Sequence, residues 1–562
     1  MGVSTSLYSG LSGLMAHQRR MDVIGNNIAN VNTAGFKSSR VLFRNAFSQT
    51  LNIGTAPTGV MGGVNPIQVG LGTTVGSTST NYGQGSIETT GVPSDLAVSG
   101  SGFFIVKDGN GQSFYTRDGS FNLGSDQILT NSKGMVVQGW MADDNFDINP
   151  SGATGAINIQ LGSMRLAKAT QNVDLTGNLN SAGDPATAGS SLTTQALTIL
   201  GGAFASVGTK LVDLRGPGNA IVFSAGDTIT LNADKGGRAI EASTYTVDPN
   251  TSTVGGLMAW LEGALGINKS AGVPDTPGVT IGANGVVTIK GDYGSANDIS
   301  DVVITSTTHP GGTTTQPFTI TKGASATGAS GYTPFTVYDS LGKELNVSMT
   351  FVLESKSSAG DVWRWYAESP DTAAASRVIG TGTVTFDDHG VYQADSGDQF
   401  TIDRAGSGAE TPLTIKPDFS QITQLDKGTA DSEVALMLQD GAPEGTLNEY
   451  AIGSNGVVNG IFTNGLVATL AQISLATFAN NEGLYSQGDN LYSPGPNAGS
   501  PQIGAPGAFG SGTVVSGALE QSNVDLASEF VNLIVTQTGY TANSRVITTS
   551  NNMLTELLNT IR

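Results

Sequence analysis

The chain has 562 residues, of which 13% are charged, 77 are glycine and none is cysteine, and its formal net charge is -20. Lack of cysteine excludes disulfides, thiol catalysis and cysteine-ligated metals, and the length calls for about three or four domains. An acidic, polar chain is poorly matched to nucleic acid or an anionic membrane surface, and no stretch approaches the roughly eighteen apolar residues that a membrane-spanning helix needs.

The charge is unevenly placed. Residues 1–44 carry Arg19, Arg20, Lys37, Arg40 and Arg44 against Asp22 alone, whereas 520–562 carry Glu520, Asp525, Glu529 and Glu556 against Arg545 and Arg562. Opposite signs at the two ends favour their pairing, weakly at physiological salt. The opening stretch MGVSTSLYSG has neither a basic nor an apolar signal region, so export with a cleavable signal peptide is not expected.

The first predicted element is a helix. Leu7, Leu14, Met21 and Ile28 recur every seven residues, with Ser4, Leu11, Gln18 and Gly25 as a companion seam, an a/d heptad pattern. Asn30, Asn32, Thr33 and Gly35 follow. They compete with helix through local side-chain bonds or accept positive φ, so the helix stops there, and Phe36 offers a single apolar anchor. Residues 41–85 are rich in Gly, Thr, Ser and Asn without a sustained period. That composition is the one of a flexible linker, yet Val41, Leu42, Phe43, Phe47 and Leu51 require burial.

From Ile87 to Trp140, short apolar runs at 96–98, 103–106, 114–116, 128–129 and 135–137 alternate with glycine-containing turns, which predicts a compact antiparallel β unit. Asp108 to Gly111 reads as its hairpin turn rather than a calcium loop, because the later ligands of such a loop are missing. Gly441 to Pro494 returns the chain to this unit. The stretches 335–342, 345–353 and 363–366 predict consecutive strands of a β sandwich or barrel; alternating Trp363 and Trp365 place both indoles on its core face. Between about 185 and 330 lies an inserted module with strands at 228–231, 244–247 and 286–289 and a helix from about Val254 to Leu265.

Nothing along the way carries catalytic chemistry. The three histidines, His17, His309 and His389, are scattered, no spacing supports a metal site, and no nucleophile elbow or phosphate-binding loop stands at a strand-to-helix junction. Asp387-Asp388-His389 reads as a solvated turn. No enzyme activity, cofactor or metal is expected.

The last predicted element is a long helix from Ser522, with Ser522 and Asp525 as a capping-box-like start. Leu526, Leu533, Tyr540, Ile547, Leu554 and Ile561 form its seven-residue series, and Phe530, Gln537, Ser544, Asn551 and Leu558 its second seam. Two heptad helices at the two termini predict a chain that leaves and comes home, pairing its ends in a coiled coil. With Gln18, Gln537, Ser544 and Asn551 inside the seams, the pair is expected to order only when packed against further copies of the chain.

The segment from Asn26 through Asn27, Asn30, Asn32, Thr33, Gly35, Phe36 and Lys37 closely resembles the N-terminal signature of the bacterial flagellar rod and hook proteins, and the stretch from Gly517 resembles that family's C-terminal signature. The resemblance covers both ends and much of the flanking sequence. It implies a tubular helical polymer with an inner wall of paired terminal helices, carrying mainly β outer domains on a coiled-coil core. The expected division is 1–30 with 522–562 (helices), 31–85 with 505–521 (connector), 86–145 with 441–504 (first β domain), 146–184 with 331–440 (second β domain) and 185–330 (insert). The long 146–440 interval favours the hook-forming members over the distal rod members. A coiled-coil-stalked surface adhesin is the rival of another class. The resemblance also implies an extracellular place in the flagellum. The implied partners are further copies of the chain, the distal rod, hook cap, length-control and junction proteins, and the flagellar export apparatus.

Overall fold

The computed structural model describes residues 2–59, 61–269, 276–307, 314–358 and 360–560, so His309 and Ile561 lie outside the described residues. Its regular structure is mostly β, with three α-helices among the described residues: α1 (Gly2–Ala29), α2 (Val254–Ala264) and α3 (Leu526–Thr560). The mainly β class with a helix at each end agrees with the sequence reading. The chain forms two compact units, Met1–Met164 with Thr446–Arg562, and Arg165–Gly445.

In the first unit, α1 ends at Ala29 and the Asn/Gly-rich turn follows, with Gly35 at φ 70°. α3 starts later than the capping-box reading placed it. Asp525 is the cap, its Oδ1 accepting from the N–H groups of Ala527 (2.9 Å) and Ser528 (3.3 Å), which meets the need of two unpaired donors in the first turn.

Between the helices in chain order comes a β body built by two passes of the chain. The strand Phe103–Lys107 pairs antiparallel with Ser113–Thr116, with Val136–Met141 and with the returning Leu475–Thr477. Val467–Ile473 adds to Val136–Met141, and Leu491–Pro494 to Ser113–Thr116. Alternation buries Phe103, Ile105, Tyr115 and Tyr492 in one cluster. Asp108 closes the hairpin by accepting from Asn110 and Gln112 N–H. Residues 146–164, expected with the second β domain, pack in this unit: Ile157 is fully buried and its N–H donates to Val137 O (3.3 Å).

The connector is ordered as a long arm. Ser39–Asn45 pairs with Thr73–Thr80, and beyond them Ser48–Asn52 pairs with Ile67–Gly70. The burial expected for its apolar residues is not found within the chain: Leu42, Phe43, Phe47 and Leu51 are exposed, Phe47 by 89%. A two-stranded ribbon has no interior of its own, so both faces meet solvent.

In the second unit, a five-stranded antiparallel sheet running from Ser330–Tyr338 through Tyr392–Ser396 shares one core with a four-stranded sheet that includes Asn172–Asn178 and Leu413–Thr423. Trp363 and Trp365 are fully buried in that core. A second core, from Leu192 to Phe318, lies around α2. Thr253 caps this helix, accepting from Gly256 N–H (3.2 Å), and Leu257 and Leu261 bury its inner face.

Candidate assembly site: the helix pair and the charge cluster at its base

α1 and α3 lie antiparallel: Ser6 Oγ meets Ser550 Oγ (3.0 Å) at one end, and Asn27 Nδ2 donates to Glu529 Oε1 (3.1 Å) at the other. The seam does repeat at heptad spacing, but along a different face from the one that the apolar series selects. On α1 it runs through Ser6, Gly10, Gly13, His17, Arg20 and Asn27, and on α3 through Glu529, Asn532, Gly539, Asn543, Ile547 and Ser550.

Close approach decides the face. A Cβ on Gly13 would stand 2.5 Å from Asn543 Oδ1, one on Gly10 would stand 3.1 Å from Ile547, and one on Gly539 would stand 2.6 Å from the His17 ring. Missing side chains let the backbones come together, and polar pairs such as Arg20 Nη2 to Asn532 Oδ1 (3.2 Å) set the register. His17 also meets the Phe43 ring edge-on at 5.6 Å. Burial, with Arg20 nearby, holds its imidazole below the usual pKa.

Of the expected seam residues Ile547 stands on this line; the other described ones flank it or face away from it. Leu7, Leu14, Met21, Ile28, Leu533, Tyr540 and Leu554 are half-buried beside the seam, while Leu11, Leu526, Phe530 and Leu558 are exposed. With them on the outer faces stand Tyr8, Met15, Val531, Ile534, Val535, Met553 and Leu557. The pair therefore buries mainly small and polar residues, with Ile24 the large apolar exception on α1, and leaves many of its large apolar ones exposed.

At the base of the pair, the motif residues close a knot. Asn27, fully buried, donates to Ser39 O (2.8 Å) and accepts from Ser39 N–H (3.0 Å), which turns the chain off the helix. Thr33 Oγ1 donates to Asn30 Oδ1 (3.1 Å), and Asn30 Nδ2 to Asn26 O (2.9 Å). Asn32 is exposed and Phe36 half-buried. Gly35 N–H donates to Glu520 O (2.7 Å), and a Cβ there would stand 2.6 Å from Asp118 N.

Lys37 goes inward. Its Nζ donates to Glu520 Oε1 (2.5 Å) and Gly83 O (2.9 Å). Glu520 also accepts from Gly85 N–H (2.8 Å) and from Arg117 Nη1 (3.2 Å). All three side chains are within 1% of full burial. Burial pushes the Lys37 ammonium below its usual pKa, with Glu520 pulling it back, and acts likewise on the Arg117 guanidinium. Arg117 in addition donates to Gly100 O (2.8 Å) and lies over the Phe103 ring. Asn523 completes the knot, accepting from Ser38 N–H and donating to Asn81 O and Gly83 O.

Arg117, Glu520, Asn523 and the seam glycines hold these contacts, and apolar periodicity passes over them. A usable signal existed for Glu520: a motif lysine in a chain with few charges needs a carboxylate. In the second unit, Asp387, Asp388 and His389 are close enough together to hold a cation. There Asp387 Oδ1 accepts from His389 and Val391 N–H (2.9 and 2.8 Å), which closes the turn.

Four stretches match known family descriptions: residues 7–37 the flagella basal body rod protein, 97–177 the flagellar hook protein FlgE/F/G D1 domain, 303–442 the flagellar basal body protein FlaE D2 domain, and 515–560 the flagellar basal body rod FlgEFG protein C-terminal region. Over 98% of both chains, the sequence is 32% identical to the flagellar hook protein FlgE of Borreliella burgdorferi and 31% identical to that of Treponema pallidum. Among solved structures, the Helicobacter pylori flagellar hook protein FlgE2 aligns at a TM-score of 0.37 and 17% identity, over 77% of this chain and all of that one.

Proposed function

Because the chain belongs to the flagellar hook protein family, we propose that its exposed helix faces and its arm are the surfaces by which copies join into a hook. It is a structural subunit of the flagellum and not an enzyme. One observation carries the assembly reading: α1 and α3 satisfy each other through small and polar residues, and leave Phe530, Val531, Ile534, Val535 and Leu558 on the outside. A row of large apolar residues on a paired helix requires a partner, and in a polymer of identical chains the partner is the next copy. Contacts that do not close on themselves give an open tube. In that tube the paired helices form a coiled-coil inner core, and the β units outside it shift over one another while the core transmits torque, as a universal joint requires. The distal rod, the hook cap, the length-control and junction proteins and the export apparatus are the partners implied beyond further copies.

Negative-stain microscopy of the concentrated protein tests it. Open-ended tubes are expected; closed trimers with parallel stalks would establish the adhesin reading instead. A companion measurement is amide exchange on the dilute monomer, where weak protection of residues 4–28 and 526–558 is expected because the pair buries little apolar surface. Strong protection would show that the ends order without partners.

The seam glycines make a sharper prediction. Gly13→Leu raises helix propensity by about 1 kcal/mol, yet it sets a branched side chain where a bare Cβ already lies 2.5 Å from Asn543. The critical concentration for tube formation, measured by sedimentation, is expected to rise at least about tenfold, equivalent to about 1.4 kcal/mol.

A further inference from the structure

The second unit holds a buried charge cluster that lies apart from the assembly surfaces. Lys235, at the end of the strand Thr228–Lys235, reaches from the core around α2 toward the two-sheet body. Its Nζ donates to Glu368 Oε1 (2.5 Å) on the strand Gly360–Glu368, and stands 3.7 Å from Asp292 Oδ2 on the strand Val287–Tyr293. It donates further to Gly266 O (2.9 Å) and Leu265 O (3.4 Å), where α2 ends. Asp292 is fully buried and also accepts from Asn268 N–H (3.0 Å to Oδ1, 3.3 Å to Oδ2). Beside the cluster, Tyr293 from the module packs on Val352 and Tyr366 of the two-sheet body.

The charge count is unequal. One ammonium touches two carboxylates, Asp292 sealed from water and Glu368 at the edge of a cleft. Arg377 and Arg238 stand across an adjoining cleft of about 200 Å³ that also holds Glu241 and Glu368; Arg377 donates to Glu241 O and feels the Glu241 and Glu368 charges without touching Asp292, and Arg238 is engaged with Ala296 O and the Tyr332 ring. Arg364 pairs with Glu354 beyond Tyr366, and Lys269 pairs with Glu262 on α2. Among the described residues, Lys235 is therefore the cation in contact with Asp292, and Glu368 is the closer claimant to it.

We propose that this cluster is a proton-operated clasp: with a proton on Asp292 it is neutral and seats the module around α2 on the two-sheet body, and loss of that proton loosens the seat. Burial pushes the Asp292 carboxyl up to about 7, with Lys235 drawing it down and Glu368 pushing it up; burial works against the Lys235 charge, and Glu368, followed by Asp292, more than offsets it. The folded pKa exceeds the unfolded one, so the stabilisation is complete in acid and is lost as pH rises through about 7.

Amide exchange on the full-length chain between pH 5 and 8, corrected for intrinsic rates, reads the clasp in strands 228–235, 287–293 and 360–368. About a hundredfold more opening is expected at pH 8 than at pH 5, since opening grows up to tenfold per pH unit below the folded pKa. Asp292→Asn is expected to flatten this dependence and to be better protected than wild type at pH 8. Should that variant fail to fold, Glu368→Gln leaves Asp292 as the sole carboxylate for Lys235, and the dependence is expected to move at least one pH unit toward acid. Equal protection at pH 5 and 8 in wild type, an unchanged slope in folded Asp292→Asn, or an unmoved profile in Glu368→Gln would each overturn the proposal.

Discussion

Glu520→Ala is expected to cost the first unit about 3–5 kcal/mol, the range for removing one partner of a buried ion pair. Two cations depend on this carboxylate, Lys37 at 2.5 Å and Arg117 at 3.2 Å, and all three side chains are sealed from water. Without it, Lys37 keeps Gly83 O and Arg117 keeps Gly100 O. Neither carbonyl neutralises a charge. Gly85 N–H loses its acceptor as well. Against the 5–15 kcal/mol that typically holds a domain together, such a loss brings the unit near its limit of folding, which a denaturant titration of the monomer reads directly. A triple replacement, K37M with R117M and E520L, removes more native side chains yet is expected to be more stable than Glu520→Ala, because it leaves no buried charge unpaired. A triple variant no better than the single one would mean that packing, rather than charge, accounts for the loss.

The knot also explains why the signature residues stand where they do. Asn27 releases the chain from α1, Gly35 lets the turn pass against the Asp118 backbone, and Lys37 ties the connector to Glu520, five residues before the Asp525 cap of α3. Three passes of the chain are joined there: the end of α1, the β body through Arg117, and the approach to α3.

Much of this architecture was legible in the sequence. Terminal helices, the Asn/Gly stop after Ala29, α2, and the core placement of Trp363 and Trp365 all follow from period and turn chemistry. The face on which the helices meet did not follow. Counting apolar residues selects Leu11, Leu526 and Phe530, all of them exposed, because that count has no term for glycines, which let two backbones approach closely. The paired arm was hidden for a related reason: a ribbon with no buried face shows no alternation between apolar and polar residues. Glu520 was missed because its cations lie 483 and 403 residues away along the chain, a separation that periodicity cannot bridge.

The exposed face of α3 carries the second large effect. Ile534 is 62% exposed and Val531 61%, and neither belongs to the seam with α1; the half-buried Leu533 between them flanks it. A Val531→Asp, Ile534→Asp variant should therefore leave the monomer within about 0.5 kcal/mol of wild type, as surface substitutions generally do. In the polymer the same carboxylates would be buried against a neighbouring copy. Desolvating an unpaired charge costs several kcal/mol, and about 4 kcal/mol per contact raises the critical concentration about a thousandfold. Tubes should be absent by negative stain at concentrations where wild type assembles, with the denaturation midpoint unmoved, and Ile534→Leu should assemble normally. Normal tubes from the doubly charged variant would place the subunit contacts on another surface, while a shifted midpoint would tie these residues to the fold of the monomer.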